Sequence, residues 1–345
     1  MRRDWILAVV AIALFVGAGG AYVAETRIAA PAPFSATAQP VAVAPTVGRL
    51  VTPTPDARDV SPYEGYGTWV DVFDFSPPYT GGSPSVTPAD LDEMASAGVR
   101  TIYLQAARLD DRSPDGLEGR WLLAEFVLRA EALGIEIVAW YLPKFPGDGT
   151  DEDRLAQMSD FEVLGRRFDG IGVDIEWTRD NDDETRTARL IELSETVATE
   201  DPDTPLGAIV LPPVLIEVVN TAYWPGFPWA EIEPYYDVWL PMSYWSFRTQ
   251  SSGYNDGYTY NEESIRRLRD NIGDPDALVH AIGGIGGIDG IDDPENPEEP
   301  LASIEQFEGF LASLADTGSI GGSIYDWATL DDAARARLAE LFNAG

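Results

Sequence analysis

The stretch FDGIGVDIEW, residues 168–177, decides how the chain is read. It alternates with the period of a strand, so Gly170, Gly172, Asp174 and Glu176 share one face while Ile171, Val173 and Ile175 share the other. The branched apolar face suits packing against helices. Two carboxylates on the opposite face suit a strand whose inner side points into a barrel and whose far end opens on a pocket.

Working outward, seven further strand-like runs surround it: TWVDVFDF (68–75), RTIYLQ (100–105), IEIVAWYL (135–142), LGAIVL (206–211), DVWLPMSY (237–244), ALVHAIG (277–283) and GSIYDW (322–327). Amphipathic stretches separate them. One opens at Thr87, with Pro88 at the first helical position and Asp90 three residues on, a capping-box signature. Others close at Gly134, Gly273 and Gly318. Eight strand-then-helix cycles without a nucleotide-binding fingerprint predict an α/β fold, a (β/α)8 TIM barrel over 63–345, with a doubly wound sheet as the alternative. The glycine-rich GGIGGIDG at 283–290 reads as a flexible loop after the seventh strand. Asp289, Asp292, Asp293 and Glu295 beyond it are oxygen-rich enough to suggest calcium as a second reading.

The residues that are missing narrow the chemistry. There is no cysteine, His280 is the single histidine and Lys144 the single lysine, which removes thiol nucleophiles, disulfides and Cys/His zinc sites. Carboxylates remain as the natural acid/base groups, and no cofactor or metal is expected. Acids outnumber bases 58 to 23, a formal charge of -35 that repels phosphate backbones and excludes nucleic acid as a natural partner.

The first residues suggest a compartment. Arg2 and Arg3 precede a mostly apolar run from Trp5 to Ala24, long enough to cross a bilayer. The expected order is a cytoplasmic tail (1–4), a transmembrane signal anchor (5–24), a Pro/Ala/Thr-rich linker (25–62) and then an extracellular domain at the cell membrane. A cleaved signal peptide, leaving a secreted domain, is the alternative. No repeat or coiled coil is visible, and the domain is expected to be monomeric.

DGIGVDIE resembles the strand-4 motif of family 18 glycoside hydrolases, the chitinase-like barrels, whose pattern is D-G-x-D-x-D-x-E. Asp169 matches its first acid, Asp174 its third and Glu176 its last. The resemblance implies that Glu176 donates a proton to a glycosidic oxygen and that Asp174 assists the reacting sugar. MSY at 242–244 is similar to the family's M-x-Y, which gives Tyr244 a hydrogen bond to that sugar, and Trp327 matches the strand-8 tryptophan beneath it. Two positions depart from the pattern. Gly172 stands where the family has its middle aspartate, and Trp245 follows Tyr244 where an acid or amide is usual.

The implied partner is a carbohydrate polymer, and the aromatic residues fit it. Trp140, Tyr141, Trp177, Trp245 and Trp327 fall at strand ends, where rings suit stacking on pyranose faces. Asp71 and Asp74 take opposite faces of a regular first strand, so one of them, Asp71 for choice, is expected to reach the pocket. His280 reads as a core histidine. The expected protein is a cell-surface glycoside hydrolase-like barrel. A non-catalytic carbohydrate-binding barrel and a muramidase-like enzyme of another barrel family are its rivals.

Overall fold

A computed structural model of the chain describes residues 58–285, 292–293, 296–300 and 302–344. The expected tail, the anchor at 5–24, most of the linker and two of the four suggested calcium ligands, Asp289 and Glu295, lie outside these residues. Among the described residues no helix is long and apolar enough to cross a membrane. A compact unit runs from Arg58, and the expected linker's last residues, 58–62, pack with it. The reason is local: the Arg58 guanidinium bonds Asp237 at 2.8 Å and the carbonyl of Pro202 at 2.9 Å, which ties 58–62 to the barrel.

Eight parallel strands alternate with helices as the sequence predicts. They are β1 (Gly65–Val70), β2 (Thr101–Gln105), β3 (Glu136–Tyr141), β4 (Gly170–Ile175), β5 (Leu206–Val210), β6 (Val238–Pro241), β7 (His280–Ile285) and, after a short hairpin of β8 (Asp292–Asp293) and β9 (Asn296–Pro300), β10 (Gly321–Tyr325). Hydrogen bonding runs β6-β5-β4-β3-β2-β1-β10-β7. The ring closes where β6 meets β7 through the bridges Trp239–Val279 and Met242–Ile282. The chain is therefore a (β/α)8 barrel and not an open sheet. Helices end where expected: Gly134, Gly273 and Gly318 take φ of 70°, 76° and 62°, the left-handed conformation that costs glycine least.

Two expectations about strands change. The first strand stops at Val70, because Asp71 accepts from the Phe73 amide and Asp74 from the Asp71 amide, a reciprocal cap that turns Val72–Phe75 into a helical turn. The glycine-rich segment is also not all loop. Gly283 and Gly284 belong to β7, where a Cβ would meet the Trp245 ring at 2.9 Å and 3.0 Å.

Aromatic rings fill the barrel axis. Tyr63 sits beneath the strands with its phenol oxygen 2.9 Å from Ile171 O and 3.0 Å from Pro205 O. Above it Trp69 stacks on Tyr103 at 4.3 Å and meets Trp140 edge-on at 5.9 Å. His280 links the layers, its Nδ1 donating to Tyr63 O at 2.8 Å and its Nε2 accepting from the Ser323 hydroxyl at 3.0 Å. That hydroxyl oxygen in turn accepts from Trp69 Nε1 at 2.8 Å. Burial lowers the His280 pKa to about 4, so the ring is a neutral core group, as the sequence suggests. Glycines supply the room: a Cβ on Gly207 would lie 2.7 Å from the Tyr63 ring, and one on Gly67 2.7 Å from Tyr103.

This packing ranks substitutions. A Cβ on Gly321 would lie 2.7 Å from the carbonyl oxygens of Gly65 and Tyr63, backbone that cannot give way. One on Gly172 meets Ile209 Cδ1 at 2.9 Å and Trp140 Cβ at 3.2 Å, where the isoleucine tip can move. Urea unfolding should show Gly172→Ala losing about 1 kcal/mol and Gly321→Ala about 3 kcal/mol or more. Equal losses would mean the aromatic column does not set the glycine positions.

Candidate active site

Strand β4 delivers the central pair. Asp174 is 6% exposed, and Glu176 follows the last strand residue, half-buried at the C-terminal rim where barrel sites form. Asp174 Oδ1 and Glu176 Oε2 are both buried without a hydrogen-bond partner. Burial raises both pKa values, because a carboxylate in low dielectric loses its hydration. Glu176 is pushed up to about 7, and Asp174 rises well above the carboxylate range as the charge of Glu176 adds to burial. The Arg108 guanidinium opposes both shifts.

Tyr244 faces this pair and more. Burial raises its phenol pKa, and the negative charges of Glu176, Asp174, Asp326 and Asp71 raise it further, so four acids converge on one tyrosine. Its ring lies 5.9 Å from that of Tyr325, whose hydroxyl donates to Asp71 Oδ2 at 2.7 Å. The cap after β1 brings Asp71 and Asp74 together instead of setting them on opposite faces. With Asp326 they place carboxylate oxygens within 4.8 Å of one another, close enough to hold a cation. Burial raises the pKa of all three, Asp326 to about 7, and for Asp74 the charges of Asp326 and Asp71 add to it.

Other expected site residues serve the core. Trp327 is 2% exposed with the Arg335 guanidinium 4.2 Å over its ring, so it offers no face to a sugar. Trp245 is fully buried against Phe310 and donates to Gln306 Oε1 at 2.8 Å. Trp140, 6% exposed, belongs to the axial column, its Nε1 donating to Tyr103 O at 3.2 Å. Tyr141 is buried, its hydroxyl 2.5 Å from Asp151 Oδ1. Trp177 remains half-buried at the rim, with Lys144 Nζ 4.8 Å from its ring. Beside it a cavity of about 570 Å³ is lined by Leu109, Asp110, Lys144 and Arg154, among others. Asp169 faces away from the pocket and accepts from the Ile137 amide at 2.8 Å.

Sequence reasoning missed four contributors. Tyr325 and Asp326 lay inside the quoted GSIYDW: Tyr325 shares the alternate-residue face of Ser323 and Trp327, and Asp326 follows the last residue of β10, where strand alternation no longer places a side chain. Arg108, three residues beyond β2, and Tyr223, whose pKa is raised by burial and then by Glu176, come from loops without a motif. Position just past a strand end was the one usable signal for Arg108.

Comparisons with solved structures agree with the fold. A class V chitinase from Pseudomonas fluorescens superposes with a TM-score of 0.57 at 11% identity, covering 80% of this chain and 98% of its own. The chain has the fold of a chitinase-like barrel. A family 18 N-acetylglucosaminidase from Paenibacillus barengoltzii gives 0.52 at 12% identity over 82% of this chain and all of its own. An endo-1,4-beta-mannanase from Rhizomucor miehei gives 0.56 at 10% identity over 83% and 96%. No protein-family model and no curated protein matches the sequence. The fold is the property shared with these structures, and the site chemistry rests on the residues above.

The shifted glutamate leaves a signature in stability. An unfolded Glu176 loses its proton near its ordinary value of 4.5, whereas the folded one keeps it to about 7. The folded state thus binds the extra proton in that window, and stability falls as pH rises through it. Glu176→Gln removes this slope, so its stability relative to the native chain should grow from pH 4.5 to about 7 and then level off. Parallel stability curves for the two proteins would contradict the burial of this carboxyl.

Proposed function

We propose that the chain is a cell-surface glycoside hydrolase acting on a polysaccharide or cell-wall glycan, anchored through its N-terminal apolar segment and working as a monomer. One observation carries the reading. A half-buried glutamate at the end of β4 holds its proton to about 7, has an oxygen with no protein partner, and faces a tyrosine ringed by further acids. Such a group can protonate a leaving-group oxygen at neutral pH and take the proton back from water, the two halves of general acid/base catalysis. Asp174 orients the sugar and stabilises positive charge growing at the anomeric carbon. Tyr244 donates a hydrogen bond to the ring held between them. The solved chitinase, N-acetylglucosaminidase and mannanase support a carbohydrate substrate by fold.

Gly172 favours a second reading, a barrel that binds carbohydrate without cleaving it, because Asp174 lacks an acidic neighbour at that position. A muramidase-like activity on peptidoglycan is a third. Release of reducing ends from a panel of glycans, purified peptidoglycan included, separates them. Glu176→Gln should lower turnover by about 10²–10⁴-fold while leaving the circular dichroism spectrum unchanged. Undiminished turnover would remove Glu176 from the mechanism, and binding with no turnover by the native chain would favour the second reading.

A further inference from the structure

The acids around Tyr244 outnumber the bases that reach them. Asp71, Asp174, Glu176 and Asp326 all act on its phenol, whereas Arg108 is the cation whose charge reaches Asp71, Asp174 and Glu176. Arg108 itself pairs with Asp110 at 3.9 Å and stacks over Phe73 at 5.0 Å, so it neutralises none of the four directly. Among the described residues, three buried oxygens there have no donor: Asp174 Oδ1, Glu176 Oε2 and Asp326 Oδ2. Asp174 is 6% exposed and Asp326 wholly buried. A buried acceptor without a donor costs about 1–3 kcal/mol, more when charged. A ligand that brings donors and positive charge recovers that free energy.

The chemistry of the occupant follows from this imbalance. A uronate would set a carboxylate against four acids and is disfavoured. A neutral or N-acetylated sugar supplies hydroxyl and amide donors but leaves the charge uncompensated. A sugar with a free ammonium supplies both. The chain as a whole points the same way, since a formal charge of -35 raises the local concentration of cationic polymers and repels anionic ones.

We propose that the glycan taken by this pocket is an amino-sugar polymer with free ammonium groups, of the polyglucosamine type, and that Asp71, Asp174 and Asp326 read the ammonium. The assignment rests on the hydrolase reading of the same site and names its substrate class. The raised pKa values of these acids add a consequence: part of the group is protonated in the free protein, and an ammonium beside it expels protons on binding.

Calorimetric titration of Glu176→Gln with glucosamine hexamer and with N-acetylglucosamine hexamer, in two buffers of different ionisation heat, tests this. The glucosamine hexamer should bind at least about tenfold tighter, weaken as salt rises to about 0.5 M, and release protons. Equal or tighter binding of the acetylated hexamer, or no binding of the amino hexamer, overturns the proposal. Because Glu176→Gln removes one of the four acids, kcat/KM of the native chain on the same hexamers provides a second readout, and a preference for the acetylated one counts equally against it. Cleavage of the acetylated hexamer alone refutes the ammonium reading and leaves the hydrolase standing. Tight binding of the amino hexamer without cleavage does the reverse.

Discussion

A ring of eight strands encloses an axis that must be filled with side-chain volume, and here aromatic rings fill it while glycines on neighbouring strands give way. Tyr63, Tyr103, Trp69 and Trp140 form the column, and Gly67, Gly172 and Gly207 are the concessions made to it. Each aromatic pair in such contact contributes about 0.5–1.5 kcal/mol beyond its buried area. The column also consumes polar groups economically. His280, Ser323, Trp69 Nε1 and the Tyr63 carbonyl satisfy one another in sequence, so none is left buried alone.

The column connects to the acids through Tyr325, whose ring lies 6.1 Å from Trp69 and whose hydroxyl donates to Asp71 Oδ2 at 2.7 Å. Burial is what raises the carboxyl pKa values there, because a carboxylate taken out of water loses its hydration. The electrostatic character of the site is thus inherited from core packing. Three of the tryptophans that seemed suited to stacking on sugar are spent inside, Trp140 in the column, Trp245 against Phe310 and Trp327 under Arg335: alternation along a strand gives the face a ring occupies, and says nothing of its depth.

Much of the architecture was legible because it depends on local rules. Helix ends at Gly134, Gly273 and Gly318, the Thr87 cap, and the inward pair on FDGIGVDIEW all follow from chain-local geometry. What failed depended on interruptions of those rules. The cap of Asp71 and Asp74 ended β1 and reversed their expected separation, and Asp326 lies one residue past the end of β10, beyond the reach of strand alternation. Arg108 was invisible because its partners, Asp174 and Glu176, arrive from a strand more than sixty residues away.

Gly172 illustrates how packing and chemistry compete for one position. Read against the family motif it is a missing acid, yet the space beside it belongs to Ile209 and Trp140. An aspartate there would crowd Ile209 and the Cβ of Trp140, so the absent carboxylate is consistent with how this barrel is filled. Asp174 is then left with Glu176 as its acidic neighbour on β4, and the two titrate as a coupled pair whose protons leave in steps belonging to both. Across the mouth, Asp71 and Asp326 stand on loops anchored by different strands, β1 and β10. Negative charge in this site therefore sits past the ends of β1 and β10 as well as at the end of β4, without taking volume from the column beneath.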